Sequence, residues 1–149
     1  MPSGMHQIVM DLPIETIWDF VKEMNNWAPL VPGYIRHEKL NDRQSTWEFK
    51  TEIGIMKKKV QLLVEITEWN EPTRVSFTLK GLKEKYNGSG YFEAESLSAN
   101  KTRMTGFLDV SAFGAAASMV NSMLKNTIPK YTEEMALAIS AQLKELKQV

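Results

Sequence analysis

The chain has 149 residues, and its eighteen basic and eighteen acidic side chains give a formal net charge of zero at neutral pH. A chain of this length is expected to form one domain over residues 1–149, and without net positive charge no nucleic-acid partner is expected. The absence of cysteine excludes disulfides and thiolate metal ligands. No apolar run approaches the roughly 20 residues of a membrane span, and the N-terminus lacks the features of a signal peptide. These features predict a soluble cytoplasmic protein.

The chain begins with a predicted strand and an amphipathic helix. Residues 6–12 indicate a strand with one buried face, on which Ile8, Met10 and Leu12 are predicted to lie. Pro13 ends this strand, and proline suits the first position of a helix. Apolar residues then recur at helical spacing, and the predicted core-facing set is Ile14, Ile17, Trp18, Phe20, Val21 and Met24. The aromatic segment 27–33 allows a further short helix before the Pro32-Gly33 turn.

The middle of the chain alternates with the period of β-strands. The side chains predicted to face inward are Trp47, Phe49, Thr51, Ile53, Val60, Leu62, Val64, Ile66, Val75, Phe77 and Leu79. Turn residues interrupt the pattern at 41–42, Gly54, 70–72 and Gly81. Because these breaks have the spacing of hairpins, successive strands are expected to pair antiparallel.

Glycines stand inside the last two predicted strands. Gly88 and Gly90 precede Phe92, and a glycine in a strand marks a bulge or a close approach to the backbone. The final strand is predicted to place four residues on one face, namely Met104, Gly106, Leu108 and Val110.

After Gly114 the pattern becomes helical almost to the end of the chain. Its apolar stripe is Val120, Leu124, Ile128, Tyr131, Met135, Ile139 and Leu146. Pro129 interrupts the backbone hydrogen bonding and should kink this helix or restart it, so two helical pieces are expected more than one straight rod. The apolar face of such a helix must be buried, and the predicted sheet is the surface available for it. The order of elements therefore predicts an α+β fold in which an antiparallel sheet curves around the final helix and leaves a cavity.

A cavity of this kind would be lined by aromatic and methionine side chains, although each of them also suits an ordinary core. The candidate ligand-binding residues are Trp27, Trp47, Phe49, Phe77, Met104, Gly106, Phe113, Met119, Met123 and Met135. The small-residue segment 113–119 suits either a mobile gate or close packing.

Catalytic and metal-binding patterns are weak. His6 and His37 lie on different predicted elements with no cysteine nearby, so no metal or cofactor is expected. No serine occupies a nucleophile elbow, and no catalytic residue is assigned. His37 and Tyr34 offer polar groups for catalysis, but an exposed strand position explains His37 more simply. The lysines at 57–59 and 80–85 suit either a rim for an anionic head group or acidic partner, or solvated hairpin ends.

Three segments in this order resemble a known family: PIETIW at residues 13–18, LVPG at residues 30–33, and Gly114 before the long helix. They resemble the START-like superfamily, also called SRPBCC or helix-grip. Within it they are similar to the CoxG-like group, which is named for carbon monoxide dehydrogenase, and to the polyketide cyclase-like group. The resemblance implies a curved seven-stranded antiparallel sheet around a long C-terminal helix, with one or two short helices after the first strand. An apolar cavity lies between sheet and helix in this fold.

Members of the wider superfamily bind lipids, sterols, polyketides or plant hormones, and some are cyclases. For this chain the resemblance implies non-catalytic binding or transfer of a hydrophobic small molecule such as a lipid, a quinone or a polyketide-like compound. One alternative is a polyketide cyclase or dehydratase that uses the same cavity. Another is an adaptor for a membrane-associated redox enzyme, to which the name of the CoxG-like group points. Fold alone does not choose among these functions.

Overall fold

The computed structural model of the protein describes residues 2–53, 56–83 and 85–147. The elements in chain order are β1 (Ser3–Met10), α1 (Ile14–Val21), α2 (Met24–Trp27), a short 3-10 helix (Ala28–Leu30), β2 (Tyr34–Lys39), β3 (Gln44–Ile53), β4 (Met56–Asn70), β5 (Arg74–Gly81), β6 (Tyr86–Ser98), β7 (Lys101–Ala112) and α3 (Ala117–Lys147). The predicted turn at Gly54 and the predicted orientations of the Ile53 and Leu146 side chains lie outside what the structure describes.

The seven strands form one antiparallel sheet in the order β1-β7-β6-β5-β4-β3-β2. Strands β2 to β7 follow one another as hairpins. The last strand, β7, also pairs with the first strand, β1. Helix α3 packs mainly on β1 and β7. The fold is therefore the predicted α+β helix-grip arrangement.

The sheet wraps around α3. One turn of this helix contacts strands near opposite edges of the sheet. Pro129 lies against Gly4 of β1, and the Tyr131 hydroxyl donates a hydrogen bond to Thr51 Oγ1 of β3. Strands β1 and β3 are five positions apart in the sheet, which would separate them by about 24 Å if the sheet were flat. The sheet must therefore curve around the helix.

The faces predicted by alternation are confirmed. The buried side chains of the inner face include Trp47, Val60, Leu62, Val64, Ile66, Val75 and Met104. All six predicted core-facing residues of the first helical region are buried as well. Glu48 is the exception on the outer face, since it is buried although it alternates with Trp47 and Phe49. Arg36, Lys59 and Gln61 cover it with long side chains that bind its carboxylate.

The buried apolar side chains that the structure describes form two separate clusters. The larger one joins α1, the middle strands and the end of α3, and it includes Trp18, Ile66 and Leu143. The smaller one lies at the opposite end and consists of Tyr86, Ala112, Leu124 and Ile128. The core is therefore divided into two parts and is not continuous.

Of the two interpretations of the strand glycines, the structure supports close approach. No bulge occurs at Gly88 or Gly90, which pair in regular register with β5 and β7, and the register shifts lie elsewhere. The close approach expected of such a glycine is present, because a Cβ on Gly90 would lie 2.7 Å from the Phe77 ring. One backbone prediction was wrong, namely that the helix would stop and restart at Pro129, since α3 continues through it. Proline removes only one hydrogen bond, and the helix is packed on both sides of it.

Gly33 makes the sharp entry into β2. Its φ of 78° is rarely adopted by residues with a side chain, and a Cβ there would collide with the carbonyl of Lys50. The Gly33 carbonyl in turn accepts a hydrogen bond from the Lys50 backbone N–H at 2.9 Å. This turn attaches the aromatic segment 27–33 to β3, beside the cavity described next.

Candidate functional site

A cavity of about 220 Å³ lies between the inner face of the sheet and α3. Its wall includes residues of both core clusters, such as Val64 and Ile139 from the larger and Leu124 and Ile128 from the smaller. The cavity is therefore the space that separates the two core clusters. No Asp, Glu, Lys or Arg lines it within residues 2–53, 56–83 and 85–147.

Gly106 opens directly into this cavity. A Cβ built on it would have no atom within 4 Å apart from its chain neighbours. Its two cross-strand partners are His6 and Phe92, and all three residues border the cavity. The missing side chain at Gly106 thus leaves part of the space that the cavity occupies.

Two tryptophans form an aromatic corner of the wall. The Trp27 and Trp47 rings meet edge to face with centroids 5.4 Å apart. The Trp27 Nε1–H donates to the Val21 carbonyl at 2.9 Å, and the Trp47 Nε1–H donates to Ser45 Oγ at 2.7 Å. Because both indole N–H groups are already bound, these rings offer an apolar surface to a ligand.

The hydroxyl groups of the helix wall are also engaged. Thr127 and Thr132 donate to the carbonyls one turn earlier in α3, at 3.2 Å and 2.9 Å. Tyr131 donates to Thr51, and its ring packs edge to face on Phe49 with centroids 6.4 Å apart. The polar groups of this wall are therefore satisfied within the protein.

His37 and Tyr34, the candidates for catalysis, do not line the cavity. The Tyr34 hydroxyl and His37 Nδ1 are 2.7 Å apart, and His37 Nε2 lies 2.6 Å from Asn25 Oδ1. In a neutral imidazole, Nε2–H donates to the amide oxygen and Nδ1 accepts from the tyrosine. This chain of hydrogen bonds attaches α2 to β2 and leaves neither side chain directed at the cavity.

The structure brings together seven of the ten predicted ligand-binding residues along the cavity wall, namely Trp27, Trp47, Phe49, Phe77, Met104, Gly106 and Met135. Phe113 and Met119 do not line it, since they are 51% and 59% exposed at the turn before α3 and at its start. Met123 packs against the smaller core cluster and does not line the cavity. The exposure of residues 113–116 also excludes close packing of that segment, and its role as a gate stays a prediction.

His6 is a cavity residue that the sequence analysis did not assign. It lies on the inner face of β1, two residues before Ile8, and borders the cavity beside Gly106. The alternation that predicted an inward Ile8 and Met10 also predicts an inward His6 when it is continued to the start of the strand.

Charge lies on the outer face of the sheet. Glu48 accepts from the Gln61 amide at 3.0 Å and from Arg36 Nε at 3.2 Å, and Lys59 is 3.5 Å away. The Gln61 hydrogen bond, together with Arg36 and Lys59, lowers the pKa of Glu48 against the opposing effect of burial. A lowered pKa means that this group stabilises the fold above its ordinary pKa and less as pH falls through the lowered value.

Among the described residues, no three His, Cys, Asp or Glu side chains are placed to hold a metal ion. In the same part of the chain, no helix combines the length and apolarity needed to cross a bilayer.

The comparisons with known proteins agree with this architecture. A protein-family model matches residues 1–147. A START superfamily protein from Mycobacterium smegmatis superposes with a TM-score of 0.72 at 18% identity, over 97% of this chain and 98% of that one. The chain belongs to the START-like superfamily. No protein of curated function matches it by sequence.

Two other solved structures share the START-like fold of this chain. A conserved protein from Geobacillus kaustophilus has a TM-score of 0.81 at 15% identity, covering 96% of this chain and 95% of that one. The Zhui aromatase/cyclase from Streptomyces sp. R1128 has a TM-score of 0.73 at 11% identity, covering 95% and 93%. At these identities the likeness shows the fold alone.

Proposed function

We propose that this START-like protein binds a small hydrophobic molecule non-covalently between the sheet and α3 and transfers it to another site. The open space at Gly106, inside a cavity without charged lining residues in the described part of the chain, is the observation that carries the proposal. Burial of an apolar ligand in such a space is favourable because it removes apolar surface from water.

The volume of the cavity favours a ligand built on a few rings. A cavity of about 150 Å³ lined by aliphatic and aromatic side chains can hold benzene, whereas drug-sized ligands occupy about 300–1,000 Å³. At about 220 Å³, this cavity suits the ring portion of a quinone or of an aromatic polyketide better than a whole lipid. A larger ligand would require the wall to move outward.

One end of the molecule suits exchange of the ligand with a membrane. Leu82, Phe113 and Met119 are half or more exposed there, and Lys83 and Lys85 are exposed beside them. The β5–β6 loop and the turn before α3 are neighbours at this end, because the Phe113 backbone N–H donates to the Lys85 carbonyl at 2.9 Å. We call these five residues the exchange end. Exposed apolar side chains among lysines are typical of surfaces that bind anionic membranes.

An enzyme of the polyketide cyclase type is the second candidate, and the likeness to the Zhui aromatase/cyclase favours it. Such an enzyme needs polar groups that reach the ligand. Since His37 and Tyr34 lie outside the cavity, this role would fall to polar groups of its wall, which include His6, Asn87 and the bonded pair of Tyr131 and Thr51. An adaptor for a membrane-associated redox enzyme, the role to which the CoxG-like resemblance points, would use the exchange end.

The proposal is tested with the apolar fluorophore N-phenylnaphthylamine. The unmodified protein is expected to bind it with increased fluorescence, and Gly106→Leu is expected to weaken binding at least tenfold because the new side chain occupies the space of the probe. Val9→Leu is the control, since Val9 is exposed on the outer face of β1. Equal binding by the Gly106 variant, in a protein that still melts cooperatively, would contradict the proposal.

A further inference from the structure

We propose that His6 is the anchor for a hydroxyl group on an otherwise apolar, uncharged ring ligand. This inference rests on the proposed function, because it assigns a chemical class to the molecule that the cavity binds. It concerns a residue to which no ligand-binding role was assigned from the sequence.

The register of β1 directs His6 to the cavity. Its neighbours Met5 and Gln7 belong to the outer face, where the Gln7 amide donates to Thr105 Oγ1 at 3.2 Å and Met5 is 59% exposed. His6 itself is half-buried and pairs with Gly106, the residue that leaves the open space. The imidazole and the void are therefore next to each other in the sheet.

His6 also differs from the hydroxyl groups of the helix wall because its side chain is unbound. Among the described residues, nothing forms a hydrogen bond, an ion pair or a ring contact with the His6 side chain. By contrast, Thr127, Thr132 and the pair of Tyr131 and Thr51 have their hydroxyl groups engaged within the protein. A ligand can therefore bond to His6 without displacing a hydrogen bond of the protein.

The chemistry of the site selects a neutral hydroxyl. A neutral imidazole has one N–H donor and one acceptor nitrogen, so it bonds to a hydroxyl in either direction. A carboxylate would lose its hydration in a wall that has no lysine or arginine in the described residues, and burial of such a charge is costly. The expected ligand thus has ring surface for Trp27 and Trp47 and one hydroxyl for His6.

Naphthalene and its hydroxylated analogue naphthol form a matched pair of probes. Their affinities are measured on the unmodified protein by competition with N-phenylnaphthylamine. Naphthol is expected to bind about 2- to 10-fold more tightly, because a hydrogen bond has a net value of about 0.5–1.5 kcal/mol.

His6→Leu is expected to keep naphthalene binding and to lose or reverse the preference for naphthol, since the buried hydroxyl then lacks a partner. His6→Gln retains a donor and an acceptor at this position and is expected to restore part of the preference. His37→Leu is the matched control, because the other histidine of the chain is bound to Tyr34 and Asn25 away from the cavity.

The outcomes separate this inference from the proposed function. If the unmodified protein binds neither naphthalene nor N-phenylnaphthylamine, the proposed function fails. If naphthalene binds but naphthol binds no more tightly, or if His6→Leu keeps the preference while Tyr131→Phe removes it, only the assignment of His6 is wrong. The contact can also be tested without a substitution, because in the unmodified protein the imidazole NMR signals of His6 should shift far more with naphthol than with naphthalene.

Discussion

Two inner-face glycines of neighbouring strands have opposite surroundings. Gly106 of β7 faces open space, whereas a Cβ on Gly90 of β6 would lie 2.5 Å from the Phe107 carbonyl oxygen and 2.7 Å from the Phe77 ring. Phe77 pairs with Gly90 and covers it. The same residue type therefore marks an unfilled cavity in one strand and a filled core in the next.

This contrast predicts opposite effects of one added methyl group. Gly106→Ala should leave the free energy of unfolding unchanged or raise it by about 0.5–1 kcal/mol, because alanine restricts the unfolded chain more than glycine does. Gly90→Ala should lower it by about 1–3 kcal/mol, because the filled site must be forced apart. Urea denaturation of the two variants measures both values. Equal destabilisation would show that the space at Gly106 is filled in solution.

Alternation predicted the cavity wall where a strand supplied it. Phe49, Phe77 and Met104 were placed correctly because a period of two fixes the side of the sheet. Phe113 and Met119 lie away from this wall, because residue type does not fix which way a side chain faces and the small residues between them conceal where α3 begins. His6 was missed because a histidine at the start of a strand was considered only as a metal ligand.

At the scale of the elements, α3 shows why a proline in the sequence did not predict where the helix ends. Its missing N–H and its ring cost a helix about 3 kcal/mol or more. Leu124 and Ile128 are buried before Pro129, and Ile139 and Leu143 are buried after it, so packing on both sides exceeds this cost. Gly4 lets β1 approach the helix closely at this point, since a Cβ on Gly4 would lie 2.6 Å from the Pro129 Cα. Local propensity predicted a break, but contacts distant in sequence prevent it.

The part of α3 beyond Pro129 should therefore carry much of the stability of the fold. Leu143 is fully buried in the larger core cluster, while Leu137 on the same helix is 50% exposed. Leu143→Ala is expected to lower the free energy of unfolding by about 2–5 kcal/mol, and Leu137→Ala by no more than about 0.5 kcal/mol. Denaturant unfolding of both variants tests this difference. A small loss at Leu143 would mean that the end of α3 is not part of the core.

At the scale of the whole molecule, a net charge of zero conceals a separation of charge. The antiparallel topology brings the β3–β4 hairpin, the β5–β6 loop and the start of α3 to one end of the sheet. Exposed lysines at positions 57, 59, 80, 83 and 85 lie there, and residues 117–132 of α3 contain no Asp or Glu. Glu15, Asp19 and Glu71 are exposed toward the opposite end. Composition alone excludes a global field, but only the topology reveals the basic end.

This separation predicts that the exchange end binds anionic membranes. The protein should co-sediment with vesicles of equal parts phosphatidylcholine and phosphatidylglycerol, and far less with phosphatidylcholine alone or in high salt, because salt screens the lysines. Each lysine near such a surface contributes about 1 kcal/mol, so Lys83→Gln with Lys85→Gln should lower the partition coefficient about 10- to 30-fold. Phe113→Ser should lower it further by removing an apolar contact with the bilayer.

The control must remove the same charge from the other end of the molecule. Lys101 in the β6–β7 hairpin and Lys144 near the end of α3 are exposed there, and Lys101→Gln with Lys144→Gln should change the partition coefficient less than twofold because neither side chain faces the membrane. If the two pairs of substitutions reduce binding equally, the attraction is a general effect of charge and the exchange end has no special role. If only the first pair does so, release of N-phenylnaphthylamine to the vesicles should slow in the same variant, since docking would then precede transfer.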